Sequence, residues 1–439
     1  MVADQDTLSD ALLAELSRRG AARSGDLQSA LGRSQPSLSR ALRALGSQVV
    51  VLGRQRSARY AVPQPLRGWH GQQPLFWTDE RGQREHWGTL THLGAGRLHV
   101  QARGIDVAST AGLPWFLAPL RLQGFLGRLW ASSPAAAGLD NNPERWRGDE
   151  LLAVLLQQVH DLPGAISLGE PGVASVATAS KLALDSPERL AQFDALAADA
   201  SRNRATGSSA GGEHAKFLIA DGDAHWLVKF TPPRGTPFGQ CWHDLLHAEA
   251  MASTVLAEHG VPVATTAVVH SAQRTYLASA RFDRVGGSGR RHVVSLDAVH
   301  AAFVPGPRRD WAATCAALVQ QRRLPPEASA QAAALLQFGR LIGNNDMHFG
   351  NLSVLVASPD DTARGRFTLA PVYDMLPMRW RPDVASGELG MLPFTPEPAD
   401  LASAARPIAL LFWQRMAAHA EVSAEFRALS AAMAGRLAE

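Results

Sequence analysis

The chain has 439 residues, 46% hydrophobic and 19% charged, an ordinary globular composition long enough for two to four domains with large cores. A formal charge of +3 and a pI near 9.2 are too mild to imply a nucleic-acid binder. Cys241 and Cys315 are too few for a disulfide framework or a cysteine zinc cluster, and no apolar run approaches the roughly 18 residues of a membrane span. With a polar start at Met1–Asp6, these features lead to the expectation of a soluble chain in a reducing cytoplasm, with no membrane partner. Charge is unevenly spread. Residues 1–63 hold nine arginines against five acids, while the remainder is close to neutral.

Leu8, Leu12, Leu13 and Leu16 place an amphipathic helix over 7–19. A second fits 24–31 with Ser24 as its N-cap. A third begins at Ser34, has Pro36 in its first turn, and buries Leu38, Ala41, Leu42 and Leu45. Strands at 49–52 and 60–62 follow, around a basic turn. Three helices and a basic hairpin are the pattern of a winged helix-turn-helix, taken as a domain over 1–63. Its third helix offers Ser34, Gln35, Ser37, Arg40 and Arg43 for base edges and phosphates in a major groove. Arg54, Arg56 and Arg59 in the wing suit phosphate or minor-groove contacts.

Pro63-Gln64-Pro65 marks a boundary. From 75 to about 130, short β-like runs alternate with glycine turns, defining a β-rich subdomain over 64–130. Residues 131–150 read as a loop. Strands fit 216–220, 225–230, 263–270 and 274–282, with a helix at about 243–259, inside a further domain over 131–285. From 286 to 439 the pattern is mainly helical, apart from strands at 352–356 and 366–370.

The chemistry concentrates in Asn344-Asn345-Asp346-Met347-His348-Phe349-Gly350-Asn351, which lies between an apolar helix (336–342) and a strand, and in Tyr373-Asp374 after the next strand. An aspartate followed five positions later by an asparagine lets one loop accept a hydroxyl proton and hold a magnesium ion. A second aspartate on the following strand supplies charge for the same Mg²⁺. This order of elements is that of a kinase catalytic segment. His348 either positions Asp346 or holds the loop. Upstream, Gly207–Lys216 is a glycine-rich loop entering a strand, where Gly211 and Gly212 allow backbone N–H groups to approach phosphate. The chain has three lysines against forty arginines, and Lys216 and Lys229 both fall here. Lys229, in a strand, suits the ATP phosphates, with Glu249 on the next helix as its ion-pair partner.

Taken together, Ser209–Lys216, Leu227-Val228-Lys229-Phe230, Arg281-Phe282-Asp283-Arg284, Asp346-x-His348-x-x-Asn351 and Tyr373-Asp374 resemble the HipA-like serine/threonine kinases, toxin components of bacterial toxin–antitoxin systems. The blocks occur in family order over about 75–430, and the fused N-terminal domain looks like the YjjJ-type branch. The resemblance implies an α+β, atypical phosphoinositide-kinase-like fold with a β-rich N-lobe and a mainly helical C-lobe. It implies ATP and Mg²⁺ as cofactors, Asp346 as catalytic base, and Asn351 and Asp374 as metal ligands. It further implies Lys229 as phosphate ligand, Arg281 and Phe282 as the hinge beneath adenine, and autophosphorylation at Ser209 or its neighbour Ser208. The implied partners are a protein substrate such as an aminoacyl-tRNA synthetase, DNA, an antitoxin and a second copy of the chain. Ala280 and Gly350 depart from the family pattern, which expects an acid and a basic residue there. Two other readings use the same residues. Asp-x-His-x-Gly-Asn also resembles the loop of aminoglycoside and choline kinases, although Asn344 stands where those carry histidine. A nucleotide-sensing transcription regulator would use the same pocket without transferring phosphate.

Overall fold

The computed structural model describes residues 2–53, 58–109, 112–157, 161–169, 178–179, 182–202, 214–382 and 393–439. The N-terminal unit has helices α1 (Val2–Arg19), α2 (Ser24–Leu31) and α3 (Gln35–Ala44), then the antiparallel strands β1 (Val50–Leu52) and β2 (Arg59–Ala61). Leu12, Leu16, Leu27, Leu38 and Ala41 form its buried core. Ser24 is not the cap of α2. Arg23 holds that position, and its N–H donates to Asp26 in the first turn, since a carboxylate reaches back where a serine one residue later does not. The hairpin rests on the next unit through Leu52, Ala61 and Leu93, and the Gly53 N–H donates to Asp106.

That next unit is a five-stranded antiparallel sheet, ordered β6-β5-β4-β3-β7, of β3 (Gln72–Thr78), β4 (Arg84–His92), β5 (Leu98–Ala102), β6 (Ile105–Ser109) and β7 (Ile166–Leu168). Helices α4 (Gly124–Ala131) and α5 (Gly148–Leu156) lie between β6 and β7 in sequence. The end of the stretch expected to be β-rich is therefore helical, and α5 begins within the expected loop. Leu151 to Leu156 are all buried, so α5 shows no amphipathic period by which to recognise it. One core runs from Leu66 to Ile166, so the 130/131 position expected as a boundary lies inside it.

A second five-stranded sheet, ordered β11-β12-β10-β9-β8, contains β8 (Thr178–Ala179), β9 (Lys216–Asp221), β10 (Ala224–Phe230), β11 (Thr266–His270) and β12 (Thr275–Ala280). Helix α6 (Pro187–Arg202), unforeseen from sequence, covers it through Phe193 and Ala197. Helix α7 runs over Pro237–Glu258, starting six residues earlier than expected because Thr236 caps it by accepting from Gly239 N–H. A small hairpin, β13 (Arg284–Val285) and β14 (Gly289–Arg290), leads on.

The C-terminal part joins a three-stranded sheet of β15 (His292–Ser295), β16 (Ser353–Val356) and β17 (Thr368–Leu369) to seven helices among the described residues. These are α8 (Leu296–Phe303), α9 (Trp311–Gln320), α10 (Glu327–Leu341), α11 (Pro359–Arg364), α12 (Pro398–Leu401), α13 (Arg406–Ala417) and α14 (Ala424–Ala438). Trp311, Phe338, Phe412, Trp413 and Phe426 are fully buried in its core. Among the described residues no helix is long and apolar enough to cross a membrane.

A buried ion cluster fastens the two five-stranded sheets. Arg281 and Arg284 each reach Asp161 at 2.7 Å, Arg281 also pairs with Asp283 at 3.0 Å, and Asp283 accepts from Gly164 N–H. Burial alone would raise the Asp283 pKa, but the two guanidinium groups outweigh it and hold the carboxyl at about 2. A depressed carboxyl pKa contributes stability above its unfolded value that disappears as pH falls through the folded value. Asp283→Asn should therefore cost about 3–5 kcal/mol at neutral pH, because two buried cations lose a counter-charge. Denaturant unfolding from pH 7 downward should show the gap to wild type closing between pH 3.8 and about 2. A constant gap would contradict this assignment.

Candidate active site

Strand β10 brings Lys229 into the interior with 6% of its surface exposed. Its Nζ donates to Glu249 Oε1 and Oε2 at 2.7 and 2.6 Å, and to Asp374 Oδ1 at 2.6 Å. Glu249 comes from α7 and is 3% exposed, while Asp374 lies 145 residues from the lysine in sequence. Lys216 stands directly opposite Lys229 in the β9–β10 ladder, so their side chains share a face. Burial opposes the charge on Lys229, yet the two carboxylates outweigh it and raise its pKa. Burial also pushes Asp374 upward, but Lys229 and Lys216 reverse this and hold it at about 2. Burial is the main influence on Glu249 and shifts it upward, partly countered by Lys229.

The loop after α10 is folded on its own amides. Asn344, buried, accepts from Asp346 N–H at 3.0 Å. Asn351 Nδ2 donates to the Asp346 carbonyl at 2.7 Å, which leaves its amide oxygen unspent. His348 Nδ1 accepts from Gly350 N–H at 3.0 Å, and the His348 carbonyl accepts from Trp311 Nε1 at 3.2 Å. The imidazole thus holds the loop, while the exposed ring also faces a cleft of about 600 Å³. Asp346 lines that cleft together with Arg309, Arg340 and Arg379. Among the described residues its carboxylate has no hydrogen-bond or ion-pair partner.

Loop and acid are tied together. Tyr373 Oη donates to the Gly350 carbonyl at 2.7 Å, and Ser353 Oγ lies 2.7 Å from the same hydroxyl. Asn344 Nδ2 reaches the Met375 sulfur at 3.6 Å. Gly339 in α10 makes room for this junction, since a Cβ there would collide with the Met347 sulfur. Val263 pairs with Val372 in a parallel bridge, aligning the Asp374 segment with the turn before β11. Asp374 itself has φ +57°, a left-handed conformation that aspartate tolerates better than most residues and that marks functional sites.

The structure therefore gathers Lys216, Lys229, Glu249 and Asp374, and separately orders Asp346, His348 and Asn351 on the adjoining loop. Carboxylate and amide oxygens at Asp374 and Asn351 are a hard donor set that suits Mg²⁺, and the paired lysines suit phosphate. In the segment expected beneath adenine, the Arg281 guanidinium pairs with Asp161 and Asp283, and Phe282 lies beside Tyr373 at 5.8 Å between rings. Gly211, Gly212, Ser208 and Ser209 lie outside the described residues, as do Arg54 and Arg56. Gln35, Arg40, Arg43 and Arg59 are exposed on the N-terminal unit, and Ser37 is half-buried against Ser34. Sequence reasoning missed the anchoring parts of Trp311, Ser353 and Gly339, whose signals are an indole, a hydroxyl and a helical glycine with no local motif.

Residues 208–435 match the HipA-like C-terminal domain, and residues 69–177 match the YjjJ-like toxin middle domain. Toxin YjjJ of Escherichia coli (strain K12) is 34% identical over 439 residues, covering 96% of each chain. The fold is similar to a chain of the Shewanella oneidensis MR-1 toxin–antitoxin complex of HipA, HipB and operator DNA. There the TM-score is 0.53 at 16% identity, over 83% of this chain and 95% of that one. Such low identity speaks to fold alone. The match to the C-terminal domain over more than half of the chain, with the near full-length identity to Toxin YjjJ, places this chain in the HipA-like family, among its YjjJ-like toxins.

Proposed function

We propose that the chain is an ATP- and Mg²⁺-dependent protein serine/threonine kinase acting as the toxin of a toxin–antitoxin system. The observation that carries this is the convergence of Lys229, Glu249 and Asp374 from three distant segments beside a loop that presents an unpaired Asp346. Burying a lysine with two carboxylates contributes little to stability on balance, so a functional reason for the cluster is preferred. In this reading Asp346 accepts the proton of the acceptor hydroxyl, and Lys229 and Lys216 orient the nucleotide phosphates. Asn351 and Asp374 would hold Mg²⁺, whose charge neutralises phosphate oxygens. Gly211 and Gly212 would cover the nucleotide, Phe282 would flank adenine, and Ser208 or Ser209 would receive an inactivating phosphate. Residues 64–285 would form the N-lobe with its appended subdomain, and 286–439 the C-lobe. The protein target would be a translation factor such as an aminoacyl-tRNA synthetase.

The exposed polar face of α3 supports a DNA-binding winged helix over 1–63, with Gln35, Ser37, Arg40, Arg43 and the wing arginines as contacts. Self-association through this unit would match a palindromic operator, and a separate antitoxin would be a further partner. Solved HipA sits with HipB and operator DNA, which supports both partners here.

Incubation with γ-labelled ATP and Mg²⁺ should label Ser208 or Ser209. Asp346→Asn should lower the rate roughly 10²–10⁴-fold while nucleotide binding persists. Bound nucleotide without any labelled product in the wild type would favour a nucleotide-sensing regulator, and label only on a small molecule would favour the aminoglycoside-type reading. For the DNA end, Arg40→Ala should weaken binding to all sequences and flatten the salt dependence by about one unit of slope. A change confined to one base position would make Arg40 a base reader.

A further inference from the structure

We propose that His243, His247 and His270 form a binding site for a transition-metal dication of the zinc class, with water as fourth ligand. The site is separate from the Lys229–Asp374 cluster. His243 and His247 are one turn apart on α7, His270 ends β11, and His419 precedes α14. One nitrogen from each of the first three lies within 4.8 Å of the others. Their rings crowd together: His243 to His247 at 4.6 Å, His247 to His270 stacked at 5.2 Å, and His247 to His419 at 4.9 Å. Tetrahedral zinc with Zn–N of 2.0–2.1 Å needs nitrogens about 3.3 Å apart, so binding would draw the three rings inward from their present 4.8 Å limit.

The hydrogen bonds settle which nitrogens carry lone pairs. His243 Nε2 lies 2.7 Å from the Glu421 carbonyl, which only accepts, so Nε2 is protonated and the neutral ring carries its lone pair on Nδ1. Nδ1 therefore accepts from the Thr275 hydroxyl at 2.6 Å. That hydroxyl has no second proton, so its contact with His270 Nδ1 at 3.2 Å must be donated by His270. His270 Nε2 is left with a lone pair. His247 is 6% exposed, and its Nε2 is buried with no hydrogen-bond partner. A buried nitrogen without a partner is destabilising, and a metal ion would satisfy it. Metal at His243 Nδ1 would displace the Thr275 hydroxyl, which can then serve His270 alone.

Burial of His247 favours its neutral form, the one that ligates a metal. Arg234 repels a dication, while Glu421 partly offsets it at His270 and His419. Imidazole donors select the zinc, copper and nickel group over Mg²⁺. The order His243-Asp244-x-x-His247 looks like a zinc-hydrolase helix with an acid in place. Asp244, however, is spent on α14: it accepts from Ser423 N–H at 2.8 Å and from Ser423 Oγ at 2.6 Å. Asp244 is therefore not available to activate water, and the role assigned to the site is structural. It would clamp α7 to β11 and to the turn before α14. Glu249 leaves α7 about 200° round from His247, on the opposite side.

The test is titration of chelator-stripped full-length protein with Zn²⁺ against a chromogenic chelator, paired with Co²⁺ absorption spectra. One ion per chain is expected, with the intense visible bands of four-coordinate cobalt. A six-coordinate oxygen site at Asp374 and Asn351 would give only weak ones. His247→Ala and, separately, His270→Gln should each weaken zinc binding by more than the roughly 10–100-fold that loss of an outer partner costs. The half-buried His270 variant keeps the experiment decisive if His247→Ala fails to fold. Zinc binding that survives both substitutions, or a cobalt spectrum of weak bands alone, would overturn the proposal.

Discussion

Lys229 is the group on which the rest of the arrangement depends. A lysine enclosed at 6% exposure keeps its charge only with anions in contact, and here Glu249 and Asp374 both lie within 2.7 Å. Those contacts dictate the packing of three separate pieces: strand β10, helix α7 and the segment ending at Asp374. Helix α7 must lie across the sheet so that Glu249 points inward. The Asp374 segment must cross beneath that sheet, which the Val263–Val372 bridge and the left-handed turn at Asp374 arrange.

Around this charged centre, neutral hydrogen bonds do the fine positioning. Tyr373 carries the geometry from Asp374 to the loop at Gly350, and Asn344 and Asn351 hold Asp346 by its own backbone. Among the described residues the Asp346 carboxylate has no partner while its peptide groups are held, which suits the proposed role as base. The second cluster, Asp161 with Arg281, Asp283 and Arg284, is structural. It fastens the middle unit to the sheet that carries Lys229, and it holds the Arg281 side chain in place.

Helix α7 has two faces with different chemistry. One presents Glu249 to the lysine, and the other presents His243 and His247 to His270 and His419. A helix constrained on both sides has little freedom to rotate, so whatever occupies the histidine side acts on the same rigid rod that orients the Lys229 pair.

The sequence by itself determined much of this protein. Residue type and local spacing singled out Asp346, Asn351, Asp374 and Lys229 as candidates, and the contact of Lys229 with Glu249 followed from the helix after the lysine strand. The three N-terminal helices showed as leucine periodicity, and β9 and β10 as apolar runs. Tertiary structure alone decided the rest. Helix α5 is buried all round, so it carries no period. Helix α6 is recognisable only by the sheet it covers. The role of Arg281 turned on Asp161, 120 positions away, and the histidine cluster on a strand, a helix and a turn meeting in space. Each depends on contacts between distant segments, and long-range contact leaves no local pattern to read.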